Sequence, residues 1–271
     1  MRGYWSVVSA RYRALLQYRA AAFAGFTTQV FWGLIMVMVM LAFYRLGSGR
    51  QPMSLAQVVS YIWLGQALLG MLPWNVDREI QDLIRQGSVS YELVRPLDLY
   101  NFWFSRTIAF RTATTTLRSV PMVIFAMFLL PTLGAPRWAL MIPPNAQAVF
   151  GFLLSLFCAL MLACAITMLM HVVMVKTISG DGLNRIMPSF VTVLSGMVVP
   201  LPLFPDWIQP FLNAQPFRGL VDVPFRIYTG NIVSTDILLN LLSQVGWALA
   251  FVALGRWLLN RSIRHLVVQG G

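Results

Sequence analysis

Polar and apolar positions alternate at helical spacing over residues 1–19. Arg2, Ser6, Ser9, Arg13 and Gln17 make one stripe, and Trp5, Val8, Tyr12 and Leu15 another. The pattern predicts a helix lying on a membrane surface, with aromatics among the headgroups and arginines facing anionic lipid. A plain basic flank of the next segment is the competing reading. An apolar run over residues 20–44 follows, about 37 Å long as a helix and so long enough to cross a bilayer with some tilt. Arg45, Gly47, Gly49, Arg50 and Pro52 break it, and Ser54 can cap a second apolar helix reaching about Trp74. Further apolar helices are predicted over residues 102–133, 146–175, 186–199 and 236–259. In the fourth run Ser155, Ala159 and Ala163 form a small-residue stripe suited to close helix packing.

Two stretches depart from that rhythm. Residues 75–101 are polar. Residues 200–233 carry Pro200, Pro202, Pro205, Pro210, Pro216 and Pro224 among Trp207, Phe211, Phe217, Phe225 and Tyr228. The second stretch is too broken for a regular crossing helix and too apolar for a solvated loop. Short pieces re-entering one membrane face fit it, their irregular backbone shielded by protein. The expectation is an all-α integral membrane protein of one domain, residues 1–271, with six transmembrane helices, an N-terminal interfacial helix and a re-entrant segment before the last span.

Composition agrees: 58% hydrophobic residues against 11% charged, with a mean hydropathy of +0.70, exclude an ordinary soluble domain. The net charge of +11 does not point to nucleic acid, because the arginines are scattered between apolar runs without a clustered basic face. They read instead as topology determinants. With the N-terminus inside, about 13 basic residues fall on the cytoplasmic side and five outside, so both termini are expected in the cytoplasm. Residues 1–19 do not read as a cleaved signal, since the apolar run after them is too long and lacks a clear cleavage site. Cys158 and Cys164 lie six apart on different faces of one predicted helix, which disfavours a disulfide between them.

Chemistry is sparse. The sequence holds no G-x-x-x-x-G-K-[ST] loop and one lysine, Lys176; it has no G-x-S-x-G and no H-E-x-x-H. His171 and His265 lack partners at metal-ligand spacing, so neither a metal nor a bound cofactor is expected in this chain. A polytopic protein of this kind is a pathway that takes its drive from a gradient or from a partner. No internal repeat is evident, which weighs against the usual secondary-transporter architecture.

The polar stretch is where a partner could attach. Ile80, Leu83 and Ile84 recur at helical spacing among Asp77, Arg78, Asp82 and Arg85, predicting a short amphipathic helix over residues 77–86. Gly87 can end it in a left-handed conformation. Beyond the turn, Tyr91, Leu93 and Val94 offer apolar surface beside Glu92 and Arg95, and Pro96 biases Arg95 away from the helical region. Such a knob could be gripped by a cytoplasmic protein; a solvated loop that turns the chain is the alternative.

The run from Gly87 through Glu92-Leu93-Val94-Arg95-Pro96-Leu97 resembles the segment after the second span of ABC-2-type export permeases. Ser195-Gly196, Pro200-Leu201-Pro202-Leu203-Phe204-Pro205-x-Trp207, Gln215-Pro216-Phe217 and Tyr228-x-Gly230 resemble the same family, and the likeness covers most of the chain. The resemblance implies a non-catalytic permease subunit of the inner membrane that forms half of a substrate pathway. It would pair with a second permease subunit, identical or related, and dock on a P-loop ABC ATPase dimer that binds the ATP and Mg. Residues 77–96 would be the cytoplasmic coupling segment, with Gly87, Glu92, Leu93, Arg95 and Pro96 as its ATPase-coupling residues. Pro200, Pro202, Pro205, Trp207, Pro216 and Phe217 would form the outer gate. The competing reading is a gradient-driven secondary transporter or channel.

Arg111 and Arg118, seven apart, fall on nearly one face of the third predicted span. A charge inside a bilayer costs about 3 kcal/mol or more and is kept where water, a partner or function compensates. The two can line an aqueous pathway, or they can snorkel if the bilayer begins later along the helix. The methionine-rich runs 36–40 and 168–174 read as packing, with an adaptable apolar substrate wall as the alternative.

Overall fold

The computed structural model describes residues 2–17, 19–47, 51–94, 96–177 and 181–263, and within them it is helical with no strand. Helix α1 (Arg2–Leu15) precedes α2 (Arg19–Leu46), and α3 (Leu55–Leu68) ends in a 3-10 turn over Leu69–Met71. Ser54 caps α3 as its sequence position predicts, and Gln57 completes a reciprocal capping box. Two short helices, α4 (Arg78–Arg85) and α5 (Val89–Leu93), fill the polar stretch. Helix α6 (Leu99–Ile124) then runs on through a π turn, Phe125–Leu129, into α7 (Leu130–Thr132). Pro121 and Pro131, which cannot donate to the helical ladder, flank that widened turn.

Helix α8 (Ala146–Thr177) is followed by α9 (Asp181–Leu194), α10 (Gln209–Ala214), α11 (Asp222–Tyr228) and α12 (Ile237–Ile263). Among the described residues, four helical stretches are long and apolar enough to cross a membrane: Ala22–Leu46, Leu99–Thr132, Ala146–Thr177 and Ser234–Ile263. The second predicted span is shorter than expected, since Leu55–Met71 reaches only about 25 Å against a hydrocarbon core of about 30 Å. The fifth ends at Leu194 rather than residue 199, because Ser195 and Gly196 turn the chain, Gly196 with φ of 85°.

Helix α8 is the central post. Ser155, Ala159 and Ala163 are buried, and the Ser155 hydroxyl donates to Gln244 Oε1 of α12 at 2.9 Å. This small-residue stripe thus lies on the buried side of α8, close to α12. Phe150, Leu153, Leu154 and Phe157 on its other face are exposed, as are Phe23 and Phe31 on α2 and Leu238 and Leu239 on α12. Such large outward apolar side chains suit a lipid environment.

The helices gather two distinct ends. At one, α1 lies along the start of α6, where the Asp98 N–H donates to the Tyr4 hydroxyl at 3.2 Å. Late α8 and late α12 arrive at the same end, through His171 and through an Arg256–Asn101 hydrogen bond. At the other, the connections 51–54, 133–145 and 195–236 are stitched mainly through backbone carbonyls. Trp63 Nε1 donates to Trp138 O, Gln57 Nε2 to Thr229 O, the Tyr228 hydroxyl to Met141 O and Asn231 Nδ2 to Pro52 O.

Candidate functional site: the α4–α5 segment and its anchorage

Asp77 caps α4 by accepting from the Glu79 N–H at 3.0 Å, and Gly87 ends the helix with φ of 69°, the left-handed stop its sequence position predicts. Nothing crowds Gly87, so its conformation rather than close packing calls for glycine. The apolar face of α4, Ile80 and Ile84, joins Val76 and Val89 against Leu99, Phe102 and Trp103 of α6 and Met168, Met170, Val172 and Met174 of α8. The second methionine run is therefore packing for this segment.

Over that apolar floor lies a charged layer. Arg106 of α6 reaches Glu79 Oε2 at 2.8 Å, Asp77 Oδ2 at 3.6 Å and Glu92 Oε1 at 3.7 Å. Arg11 of α1 reaches Glu79 Oε1 at 2.5 Å and Asp77 Oδ2 at 3.3 Å. Burial lowers the Arg11 pKa, but the hydrogen bond it donates to Glu79 and the charges of Asp77 and Glu79 outweigh it, and the net shift is upward. The Asp77 N–H donates to Nε2 of buried His171, tying α4 to α8 as well. Arg11, Trp103, Arg106 and His171 lie outside the predicted coupling segment, and Asp77 and Glu79, though within it, were not among the coupling residues named. The signal for Arg11 was present, since Tyr4, Val7, Val8, Arg11 and Leu15 share a helical face.

Glu92 was expected to present a polar contact to an ATPase. Its side chain faces the other way: the residue is 5% exposed, and its carboxylate accepts from Trp103 Nε1 and sits near Arg106. The surface around it is apolar, with Tyr91 77%, Val94 85% and Leu93 43% exposed. Pro96 is exposed beside them, and Arg95 lies outside the described residues.

The two arginines predicted to share a face of α6 meet different surroundings. Arg111 is buried, its guanidinium taken up by Leu72 O at 2.6 Å, Asn75 Oδ1 at 3.0 Å, Asn75 O and Thr167 Oγ1 at 3.1 Å. It ties the chain leaving α3 to α6 and α8. Arg118 is half-buried and packs on α2, where a Cβ at Gly25 would lie 2.7 Å from its Cζ. It makes no hydrogen bond or ion pair among the described residues.

At the opposite end the proline-rich stretch is a chain of short turns: Leu201–Leu203, Asp206–Ile208, α10, Pro216–Leu220 and α11. Pro200 is buried, Pro202, Pro216 and Phe217 are half-buried, and Pro205 and Trp207 are exposed. Gln215 staples this stretch to α9, its Nε2 donating to Leu194 O at 2.8 Å while its Oε1 accepts from the Phe217 N–H. Asp222, fully buried, is met by Arg218 and Arg226 at 3.3 Å each, and its N–H donates to Ser195 O. The Arg-x3-Asp-x3-Arg spacing is a helical ion-pair signature that the reading of the proline run passed over.

Among the described residues no group of three or more metal-ligating side chains comes together, and both cysteines are free. A family model described as "ABC-2 family transporter protein" matches residues 34–270, which takes in every helix from mid-α2 onward. No curated protein matches the chain.

Proposed function

The chain belongs to the ABC-2 transporter family, and we propose that it is the permease subunit of an ABC exporter, powered by ATP hydrolysis in a separate P-loop subunit. The ATPase binds the ATP and Mg; this chain supplies half of the pathway and a second permease copy or relative the other half. The end holding α4 and α5 is cytoplasmic, with both termini on that side of the inner membrane, because the basic residues concentrate there. Helix α3 and the stretch 181–199 complete six crossings, the short ones made up by the turns that follow them. The proline-rich stretch 200–233 re-enters from the outside and serves as the outer gate.

The observation that carries this reading is the α4–α5 segment itself. It is held from beneath on α6, α8 and α1, yet it presents Tyr91, Leu93 and Val94 outward. An exposed apolar cluster on an anchored cytoplasmic knob suits a docking partner better than it suits water. Closure of the ATPase pair would then push a rigid lever rather than a loop, and the spans would rock with it.

The test is gentle solubilisation of the tagged protein from its native membrane and mass spectrometry of what copurifies. A stoichiometric protein with a phosphate-binding loop is expected, and a second permease beside it would decide the pairing. A clean oligomer without a nucleotide-binding partner after mild cross-linking would turn the assignment to a gradient-driven transporter.

A further inference from the structure

Apolar packing alone leaves the α4–α5 segment free to roll. Ile80, Ile84 and Val89 meet a floor of methionines and aromatics, and such contacts have depth but little direction. Beside the hydrogen bonds of Asp77 to His171 and of Trp103 to Glu92, the charged layer above gives the segment its angle. Glu79 is its centre: one carboxylate oxygen takes Arg11 of α1, the other takes Arg106 of α6, at 2.5 and 2.8 Å. Asp77 is shared between the same two arginines, and Glu92 adds a third anchor to Arg106 from the far side of the Gly87 turn. A planar guanidinium spread over carboxylates from two short helices resists rotation in a way that methyl groups cannot.

We propose that Arg106 and Arg11 are positioning residues that, through Glu79, lock α4 and α5 to α6 and α1 so that the four helices move as one body when an ATPase pushes on the segment. The inference rests on the docking role given to α4–α5 above. Arg106 carries more of the lock than Arg11, because it reaches all three carboxylates and is the more buried of the two. Neither arginine touches cargo or nucleotide; both act by holding the lever at a fixed angle.

The experiment places spin labels on the complex copurified with its ATPase and reconstituted in lipid nanodiscs. Cys158 and Cys164 are first changed to alanine; Gln86→Cys on the segment and Thr116→Cys on α6 then take the labels, both positions being exposed. Distances are read without nucleotide and after trapping with ATP and vanadate. The native layer should give one narrow distribution that stays the same in both states. Arg106→Gln should broaden it at least twofold, and more after trapping, while Arg106→Lys recovers part of the width.

Glu79→Gln guards against misfolding of the Arg106 variant, since Glu79 is solvent-exposed yet bonds both arginines; it should broaden the distribution as well. A label pair at Gln17→Cys and Gln86→Cys reads the α1 arm, which Arg11→Gln should loosen. Narrow, unchanged distributions in both Arg106→Gln and Glu79→Gln would overturn the lock. Failure of the native chain to bring down any ATPase would instead remove the docking role, and the nucleotide-free distances would still report whether the arginines fix the angle.

Discussion

The two ends of this molecule solve the same problem with different chemistry. At the α4 end, segments far apart in sequence are tied by charged side chains. Arg11 meets residues 66 and 68 positions away, and Arg106 reaches back to Glu79 and Asp77. At the opposite end, neutral donors on helices catch backbone carbonyls of the connecting loops, and the charged cluster around Asp222 joins α11 only to the turn just before it. Loops pinned by carbonyl hydrogen bonds can exchange partners singly, each worth about 1 kcal/mol net. A layer of shared carboxylates and guanidiniums holds or yields as a unit. The contrast supports the proposal above, in which the α4 end transmits and keeps its shape while the opposite end gates and changes it.

The strongest challenge to that contrast is Arg111, which joins the α4 end to the middle of the bundle. Arg111→Leu strips a donor from Leu72 O, both oxygens of Asn75 and Thr167 at once; Leu72 and Thr167 are buried, whereas Asn75 is exposed and can turn to water. Leaving the two buried acceptors, Leu72 O and Thr167 Oγ1, unmet should cost about 2 kcal/mol or more. A sharp fall in the monodisperse fraction and in the unfolding temperature in detergent is expected. A variant as stable as the native chain would mean that the 72–75 turn holds without it.

Gly196 probes the opposite end. With φ of 85°, and with an added Cβ only 2.5 Å from the Tyr61 hydroxyl, Gly196→Ala should cost about 2 kcal/mol. The loss should be local: faster hydrogen exchange over residues 195–204 and α3, with α4 and α5 unchanged. Exchange that rises equally at both ends would erase the distinction between them. Asp222→Asn should act on the same region more weakly, by about 1–2 kcal/mol, since it keeps the shape and removes the charge shared by Arg218 and Arg226. Limited proteolysis of residues 205–220 would report it.

What was legible in the sequence follows from how far apart the determinants lie. Local signals were readable: the Ser54 cap, the α4 helix and its stop at Gly87, the buried small-residue stripe of α8 and the irregular proline stretch each depend on a few neighbouring residues. The short reach of α3 was harder to see, because Leu72, Pro73 and Trp74 are apolar enough to extend a hydropathy run after the helix has ended. The charged layer was not legible, since no period relates Arg11 to Glu79 or Glu79 to Arg106. Glu92 shows the consequence. It stands in a polar stretch among exposed neighbours, and only the turn of α5 against α6 points its carboxylate at Trp103. Arg111 and Arg118 share a helix face, as their spacing implies, yet different neighbours cover that face at the two levels.

The smallest expected effect belongs to Arg118, and it is the one that separates a pathway residue from a passive one. Its guanidinium lies over Gly25, with no hydrogen bond or ion pair among the described residues, so Arg118→Leu removes a contact surface rather than a network. The unfolding temperature should move by only a few degrees, as for a change of about 1 kcal/mol or less. Gly25→Ala presses on the same spot from α2, since the new methyl would meet the guanidinium at 2.7 Å, and the long arginine side chain can swing away at little cost. If Arg118 serves only to pack α2 against α6, both variants should support the same ATP hydrolysis in the purified complex as the native chain. A drop in hydrolysis with Arg118→Leu but not with Gly25→Ala would show that the charge itself is used. The passage of ions or headgroups past α6 would then have to be sought at Arg118 and not at Arg111, whose two terminal nitrogens are already met by protein acceptors.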